Sequence, residues 1–319
     1  MFFNLLAYIK KYLIYSILIA MVLGVVVGYF INDVSILKKA ILPLTIMMVY
    51  PMMVTLKFSS LLQKGNIKLQ VVTQLINFIV FPIIAFGIGI IFFKDSSALR
   101  LGLLLMSLLP TSGMTISWTV MSKGNVSEAI RMVVIGLLLG ALLIPVYITV
   151  LLGSEVDVPV LEIVYQILLV VIVPLVVAFL TQFLLRKKYG DEKFNKSIKP
   201  KFPLFSILGV VLIIFTIMTL KAKILVKDPT IILEMIIPLI LFYGATFFIP
   251  LFIGKKFFNK EDAIALSNGT LVRNLSLAIV IIVSVFPGSS IAALMIAIAY
   301  VIQVQLAAFN SKISATIYN

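Results

Sequence analysis

Long apolar stretches separated by short polar connections occupy almost the whole chain. Ten of them approach the roughly 20 residues that a helix needs to cross the hydrocarbon core of a bilayer. They cover residues 12–32, 36–56, 69–93, 98–122, 127–152, 158–185, 202–222, 229–253, 261–286 and 288–309. Two are interrupted near the middle, the fourth by Pro110-Thr111-Ser112-Gly113 and the ninth by Asn268-Gly269-Thr270. The pattern predicts an all-α integral membrane protein with ten transmembrane helices, of which helices 4 and 9 are broken and cross.

The polar connection at residues 153–157 follows the fifth stretch, so the chain divides into residues 1–153 and 154–319 with five helices each. An odd number of helices per half makes the second half enter from the opposite face, which gives an inverted repeat. The two breaks occupy matching positions, since Gly113 and Gly269 lie 156 residues apart. We therefore expect two inverted five-helix repeats.

The distribution of lysine and arginine along the chain predicts its orientation in the membrane. In this topology 18 of the 26 lysines and arginines face the cytoplasm and seven face outward, while Arg273 lies within a helix. Since positive loops stay inside, both termini should be cytoplasmic, in a multi-pass protein of the cell (inner) membrane. The net charge of +14 is spread over short loops, so we expect lipid and no nucleic acid as the macromolecular environment.

The amino-acid composition limits the kinds of chemistry that the side chains can perform. Hydrophobic residues make up 62% of the chain and charged residues 12%, and there is no cysteine and no histidine. Thiolate chemistry and imidazole metal sites are therefore excluded, and no phosphate-binding loop, metalloprotease motif or nucleophile elbow is present. We expect a protein that is not an enzyme and carries no cofactor.

The breaks are the candidate binding site. Proline stops the fourth helix, Thr111 or Ser112 can cap a helix that restarts, and a second restart is expected near Thr270. Helix starts favour negative charge, and Arg273 lies about one turn into the second restarted helix, so an anionic small molecule is the expected substrate. The predicted substrate site comprises Thr111, Ser112, Gly113, Thr115, Asn268, Gly269, Thr270, Arg273, Asn274, Gln303 and Gln305.

Polar side chains within the apolar stretches also allow a weak, degenerate ion site. Its candidate ligands are Gln74, Thr115, Thr119 and Asn274. The carboxylates Glu128, Glu162 and Glu234 all lie near predicted helix ends, where we expect them to contact water. An interhelical hydrogen-bonding role is the alternative for each polar residue, and a structural ion pair is the alternative for Arg273.

The two breaks, read as LLPTSGMTISWTVMSKGN and NGTLVRNLSLA, resemble those of the bile acid:sodium symporter family and its relative, the arsenical-resistance transporter family. The resemblance implies a core of helices 3–5 and 8–10 that moves against a panel of helices 1, 2, 6 and 7. Symporter members bind two sodium ions with asparagine, glutamate and glutamine side chains. In this chain the matching positions hold Gly113, Ile116, Gly269 and Arg273. An arginine in place of a sodium ligand would repel the ion and could stand in for its charge, which counts against sodium as a partner ion.

The arsenical-resistance branch resembles this chain around Trp118 and Lys123-Gly124. Its members carry a cysteine after the crossing proline, where this chain has Thr111, and a glutamate where it has Leu275 or Ser276. The sequence thus favours a secondary transporter of a small or amphipathic organic anion. Arsenite efflux and a membrane sensor that binds an anion without transporting it are the alternatives, and the oligomeric state is left open.

Overall fold

The computed structural model describes residues 2–31, 33–34, 36–56, 65–153, 161, 164–165, 169, 172–227 and 229–318. Within those ranges the regular structure is helical. The main helices are α1 Phe2–Lys11, α2 Leu13–Phe30, α3 Leu37–Met53, α4 Ile67–Leu75, α5 Phe81–Phe92, α6 Ser97–Leu108, α7 Gly113–Met121, α8 Val126–Leu152, α9 Val173–Tyr189, α10 Phe202–Lys227, α11 Thr230–Phe257, α12 Lys260–Leu271, α13 Leu275–Val285 and α14 Ser290–Ile317. A π-helical segment, Ile76–Val80, joins α4 to α5, and short helical turns join α9 to α10.

Five runs of helix in the described residues are long and apolar enough to cross a membrane: Ile67–Phe92, Val126–Leu152, Asp191–Lys227, Thr230–Phe257 and Ile291–Ser314. The count becomes six if α1 and α2, which meet at 96°, form one bent span. The ten-helix count therefore stays a prediction. Much of the predicted sixth stretch, with Glu162, and the basic residues Lys57 and Lys64 lie outside the described residues.

The helices pack in two groups. In the first, α10 lies against α2 and α3, and α9 and α1 lie against α3 and α10 respectively. In the second, α5 packs on α6, α11 on α12, and α14 on α6, α11 and α13. Contacts of α3 with α13 and of α14 with α2 and α10 join the groups.

Glycine permits the closest contact of the first group. A Cβ atom at Gly24 would lie 2.6 Å from the Phe215 carbonyl oxygen, and one at Gly28 would lie 2.1 Å from the Thr219 carbonyl oxygen. These glycines are four residues apart and share one face of α2. They form the small-residue stripe through which membrane helices approach each other closely.

Replacing Gly28 by alanine should therefore separate α2 from α10. Because the clashing atom is backbone, we expect a loss of about 1–3 kcal/mol of unfolding free energy, which thermal denaturation of the purified protein would measure. Gly87→Ala is the matched control, since a Cβ there meets nothing within 4 Å. Equal melting temperatures for the two variants would contradict the close contact.

The second group contains a cluster of polar residues around Asp262, which is itself buried, with an exposure of 5%, whereas its asparagine partners are half-buried or exposed. Its Oδ1 accepts a hydrogen bond from Asn125 Nδ2 at 2.7 Å, and its Oδ2 accepts from Asn66 Nδ2 at 2.9 Å and from Asn259 Nδ2 at 3.2 Å. These asparagines are the N-caps of α4, α8 and α12. One carboxylate therefore ties the starts of three helices together, and we call these four residues the Asp262 cluster.

Glu128 lies beside this cluster and is 3% exposed. It pairs with Arg131 and accepts hydrogen bonds from Gln70 Nε2 at 2.6 Å and from the Asn66 backbone N–H at 3.0 Å. The expectation that Glu128 contacts water is therefore wrong, because neighbouring helix starts cover it. Glu234 is exposed.

Candidate functional site

Two non-helical segments meet in the second helix group. The first lies between the end of α6 at Leu108 and the start of α7 at Gly113, and the second lies between the end of α12 at Leu271 and the start of α13 at Leu275. They run antiparallel, with Pro110 bridged to Arg273. The Thr111 N–H donates to the Val272 carbonyl at 2.9 Å, and the Asn274 N–H donates to the Leu109 carbonyl at 2.8 Å. Each segment thus satisfies backbone groups of the other, as buried irregular backbone requires. We call these paired segments, residues 109–112 and 272–274, the crossing.

Side chains set the start of α7. Ser112 is its N-cap: its Oγ accepts from the Met114 N–H at 3.2 Å, while Thr115 Oγ1 accepts from the Ser112 N–H at 3.1 Å. Thr111, just before, has φ +62°, a left-handed conformation that is costly for a β-branched residue. The crossing therefore holds Thr111 in a conformation that it would not adopt alone.

The second segment lies further along the chain than the sequence predicts. Asn268, Gly269 and Thr270 are all within α12, and the next helix begins at Leu275 with Asn274 as its N-cap. Thr270 Oγ1 donates to the Leu266 carbonyl at 2.8 Å within the same helix. The predicted restart near Thr270 is wrong, because helix geometry persists until the backbone at residues 272–274 pairs with the first segment.

Arg273 lies at the centre of the crossing, and its side chain is buried, with an exposure of 1%. Nη1 donates to the Ser107 carbonyl at 3.2 Å. Nη2 donates to Asn77 Oδ1 at 2.8 Å and to the Thr270 carbonyl. The guanidinium carbon lies 4.7 Å from the ring centre of Phe81, within the range of a cation–π contact.

The charge of this guanidinium is opposed by two helix ends. Ser107 belongs to the last turn of α6 and Thr270 to the last turn of α12. A helix C-terminus carries the equivalent of about −0.5 elementary charge, so two of them offset one positive charge. Arg273 is therefore compensated by backbone dipoles and by the Asn77 oxygen.

Gln303 on α14 fixes the backbone of Arg273. Its Oε1 accepts from the Arg273 N–H at 2.8 Å and from the Tyr243 hydroxyl at 3.0 Å, and its Nε2 donates to the Arg273 carbonyl at 3.1 Å. One carboxamide thus extends the crossing by a further pair of backbone hydrogen bonds.

The π-helical segment positions Asn77 against both the arginine and α12. Asn77 Nδ2 donates to the Gly269 carbonyl at 3.0 Å, so the amide bridges Gly269 and Arg273. A Cβ atom at Gly269 would lie 2.5 Å from Met132 Sδ, so the thioether fills the space beside this glycine. The extra residue of a π-helical turn commonly marks functional positions in helices.

On the other side, the starts of α7 and α13 open on a cavity of about 1110 Å³. Ser112, Gly113, Asn274 and Ser276 lie at this end of it. Apolar side chains cover much of the remaining wall, including Met52, Ile116, Trp118, Val210 and Val304.

Basic side chains also border the cavity. Lys10 and Lys11 come from α1, and Lys199 comes from the turn before α10. Among the described residues that line the cavity there is no aspartate and no glutamate. Its electrostatic potential is therefore positive, from the lysines and from two helix N-termini.

The predicted site residues occupy three places. Ser112, Gly113, Arg273 and Asn274 border the cavity, although the guanidinium of Arg273 lies behind the crossing. Seven others are buried behind the cavity wall: Thr111, Thr115, Thr119, Asn268, Gly269, Thr270 and Gln303. Gln305 is on the exposed face of α14, and the amide of Gln74 has no hydrogen-bond partner among the described residues. Their roles in binding stay predictions.

Sequence reasoning missed several partners of the site. Asn77 was one of many polar residues, Phe81 and Tyr243 were two of many aromatic residues, and the three lysines looked like ordinary loop charges. The signal available for Asn77 was its burial-prone position in an apolar stretch, where an amide needs a partner.

Multiple apolar helices and a polar crossing beneath a cavity are features of a multi-pass membrane transporter, and sequence comparison agrees. Residues 41–228, more than half of the chain, match the sodium bile acid symporter family, so the chain belongs to that family. It is similar to two arsenical-resistance proteins Acr3: one from Corynebacterium glutamicum, 24% identical over 89% of this chain and 83% of the relative, and one from Alkaliphilus metalliredigens, 24% identical over 76% of this chain and 73% of the relative. A shorter region, 29% of this chain and 30% of the relative, is 28% identical to the uncharacterized protein YbaS of Bacillus subtilis.

Proposed function

We propose that this transporter carries a small or amphipathic organic anion across the cytoplasmic membrane by alternating access. The observation that carries the proposal is the pair of helix starts, at Gly113 and Leu275, that open on a cavity with lysines and no described carboxylate in its wall. First-turn N–H groups have no carbonyl partner one turn earlier in their own helix and attract anions. In this structure the Ser112 and Asn274 side chains cap one N–H group each, those of Met114 and Leu277. The anionic group would bind at Ser112, Gly113, Asn274 and Ser276, and the apolar wall would hold the rest of the molecule.

The proposed architecture is two inverted five-helix repeats with both termini in the cytoplasm. In it, α6 with α7 and α12 with α13 are the broken fourth and ninth spans. The first helix group corresponds to the panel and the second to the core. The cavity lies between the groups, with α1, α3 and α10 on one wall and α7, α13 and α14 on the other. Rocking of the groups about the crossing would close it on one side and open it on the other.

The direct test is counterflow. Purified protein in liposomes loaded with unlabelled cholate, an amphipathic carboxylate, should take up labelled cholate faster than protein-free liposomes, because a carrier exchanges substrate at each conformational cycle. A short carboxylate such as lactate tests whether the apolar part of the substrate is needed. A cationic steroid similar in size to cholate tests whether the negative charge is needed. Exchange of the cation but of neither anion would contradict the proposal, and stoichiometric binding of an anion without exchange would favour a sensor.

The lysines at the cavity should attract the anion. Changing Lys10, Lys11 and Lys199 together to glutamine is expected to weaken apparent affinity about three- to tenfold at low salt, with a smaller loss at high salt. Concentration dependence of counterflow would measure this effect.

Changing Lys187, Lys188 and Lys193 to glutamine is the matched control. It removes the same net charge from exposed positions that do not line the cavity. Equal loss of affinity in both triple variants would mean that net charge, and not the cavity, attracts the anion.

Arsenite export is a second candidate, supported by the similarity to two arsenical-resistance proteins over most of the chain. The chain has no cysteine, so a thiolate ligand for arsenite would be missing. Expression in an arsenite-sensitive strain separates the candidates: resistance and lowered cellular arsenic would favour metalloid export.

A further inference from the structure

We infer that the Arg273 guanidinium is a built-in cation that replaces a sodium ion at the crossing, so that the protein moves its anion without binding sodium. The built-in cation follows from the geometry of the crossing. Sodium-independent movement rests in addition on the proposed function.

The surroundings of the guanidinium are those of a cation site. Its three acceptors are oxygens: the carbonyls of Ser107 and Thr270, and the amide oxygen of Asn77. Oxygen atoms of this kind are the ligands that hard metal cations take in proteins. The ring face of Phe81 adds a fourth contact that favours positive charge.

These oxygens already accept hydrogen bonds from the guanidinium, so a sodium ion at this position would have to compete for them. A second cation placed among them would also lie beside the guanidinium, where repulsion in a poorly solvated interior is strong. The arginine therefore fills this position both sterically and electrostatically.

At Gly269 on α12, the space that a side-chain ligand would occupy is taken by another residue. Gly269 contributes no side chain, and Met132 Sδ occupies the space into which a larger residue would project. A thioether is a soft ligand that does not suit alkali cations. The carbonyl of Gly269, which could still serve as a ligand, accepts a hydrogen bond from Asn77.

A fixed cation changes the energetics of transport. In a sodium symporter the ion brings positive charge to the crossing together with the substrate and leaves with it. Here the positive charge is covalently attached and stays after the anion is released. The sodium gradient therefore does no work, and the expected modes are exchange or downhill flux of the anion.

Thermal denaturation of the ligand-free protein tests, without any substrate, whether Arg273 takes the place of a sodium ion. The wild-type melting temperature should be equal in sodium, potassium and choline chloride. Arg273→Ala should melt roughly 5–10 °C lower, because two helix ends and Asn77 lose their partner. Methylguanidinium at millimolar concentration should recover part of that loss in Arg273→Ala and give no gain in the wild type.

Arg131→Ala is the matched control, since it removes another buried arginine, which pairs with Glu128 away from the crossing. Recovery by methylguanidinium that is equal in Arg131→Ala and Arg273→Ala would overturn the specific assignment. If Arg273→Ala does not fold, the melting temperatures of the wild type in sodium and in choline still show whether the protein binds sodium. Uptake by the wild type in the two media tests the same point. Sodium stabilisation of the wild type by several degrees would overturn the inference.

Cholate uptake by the wild type completes the test. Rates within about twofold in sodium and choline media support the inference, whereas uptake that is tenfold faster on an inward sodium gradient overturns it. Absence of uptake in every medium, together with sodium-independent melting and recovery of Arg273→Ala by methylguanidinium, supports the built-in cation and contradicts only the proposed transport function.

Discussion

Replacement of Gln303 by leucine is expected to destabilise the protein severely and to abolish anion exchange. The change removes three buried hydrogen bonds, two of them to the backbone of Arg273 and one from the Tyr243 hydroxyl. Each buried polar group that loses its partner costs about 1–3 kcal/mol, so the three groups together should lower the unfolding free energy by about 3–9 kcal/mol. Thermal denaturation and cholate counterflow would measure both effects.

Gln305→Leu is the matched control for this variant. It makes the same chemical change two residues along the same helix, but on an exposed face. We expect an unchanged melting temperature. If Gln303→Leu were as stable and as active as Gln305→Leu, the carboxamide would not be needed to hold the crossing.

Replacement of Asp262 by leucine is expected to have a comparable effect on stability. Three asparagine amides lose their shared acceptor, and the starts of α4, α8 and α12 lose their link. Asn259 is exposed and can bond to water instead, so only the two half-buried asparagines count in full. At about 1.5–3 kcal/mol for each hydrogen bond to a charged partner, the loss should be about 3–6 kcal/mol by thermal denaturation.

The adjacent variant Glu261→Gln controls for removal of an acidic residue from the same helix turn. Glu261 is exposed, and its backbone carbonyl accepts a hydrogen bond from the Asn125 N–H, which the substitution leaves in place. It should melt like the wild type. A stable Asp262→Leu protein would show that the asparagine caps find other partners, such as water.

The first break illustrates what sequence could predict. Proline and a following serine are local signals, and the structure ends α6 at Leu108 and caps α7 with Ser112. The second break depends on contacts that the local sequence does not contain. Asn268 and Gly269 are poor helix formers, yet α12 continues through them to Leu271, and the backbone leaves the helix only where it pairs with residues 109–111.

The same distinction holds for the site. Arg273 was identifiable because a charge inside an apolar stretch is rare and needs a partner. Its partners were not identifiable, since two are backbone carbonyls and Asn77 and Phe81 come from a distant helix run. The direction of the arginine side chain, away from the cavity, likewise depends on tertiary packing.

The crossing also bears on how the protein is made. The groups that pair with Thr111 and Leu109 belong to residues about 160 positions later in the chain. At synthesis rates of roughly 5–20 residues per second, the first segment waits on the order of 10 s for its partner. During that time its backbone N–H and carbonyl groups must be hydrated or shielded by the insertion machinery, because lipid offers them no hydrogen bonds. The N-terminal half is thus a biosynthetic intermediate, and its polar backbone at residues 109–111 is paired only after the second half has been made.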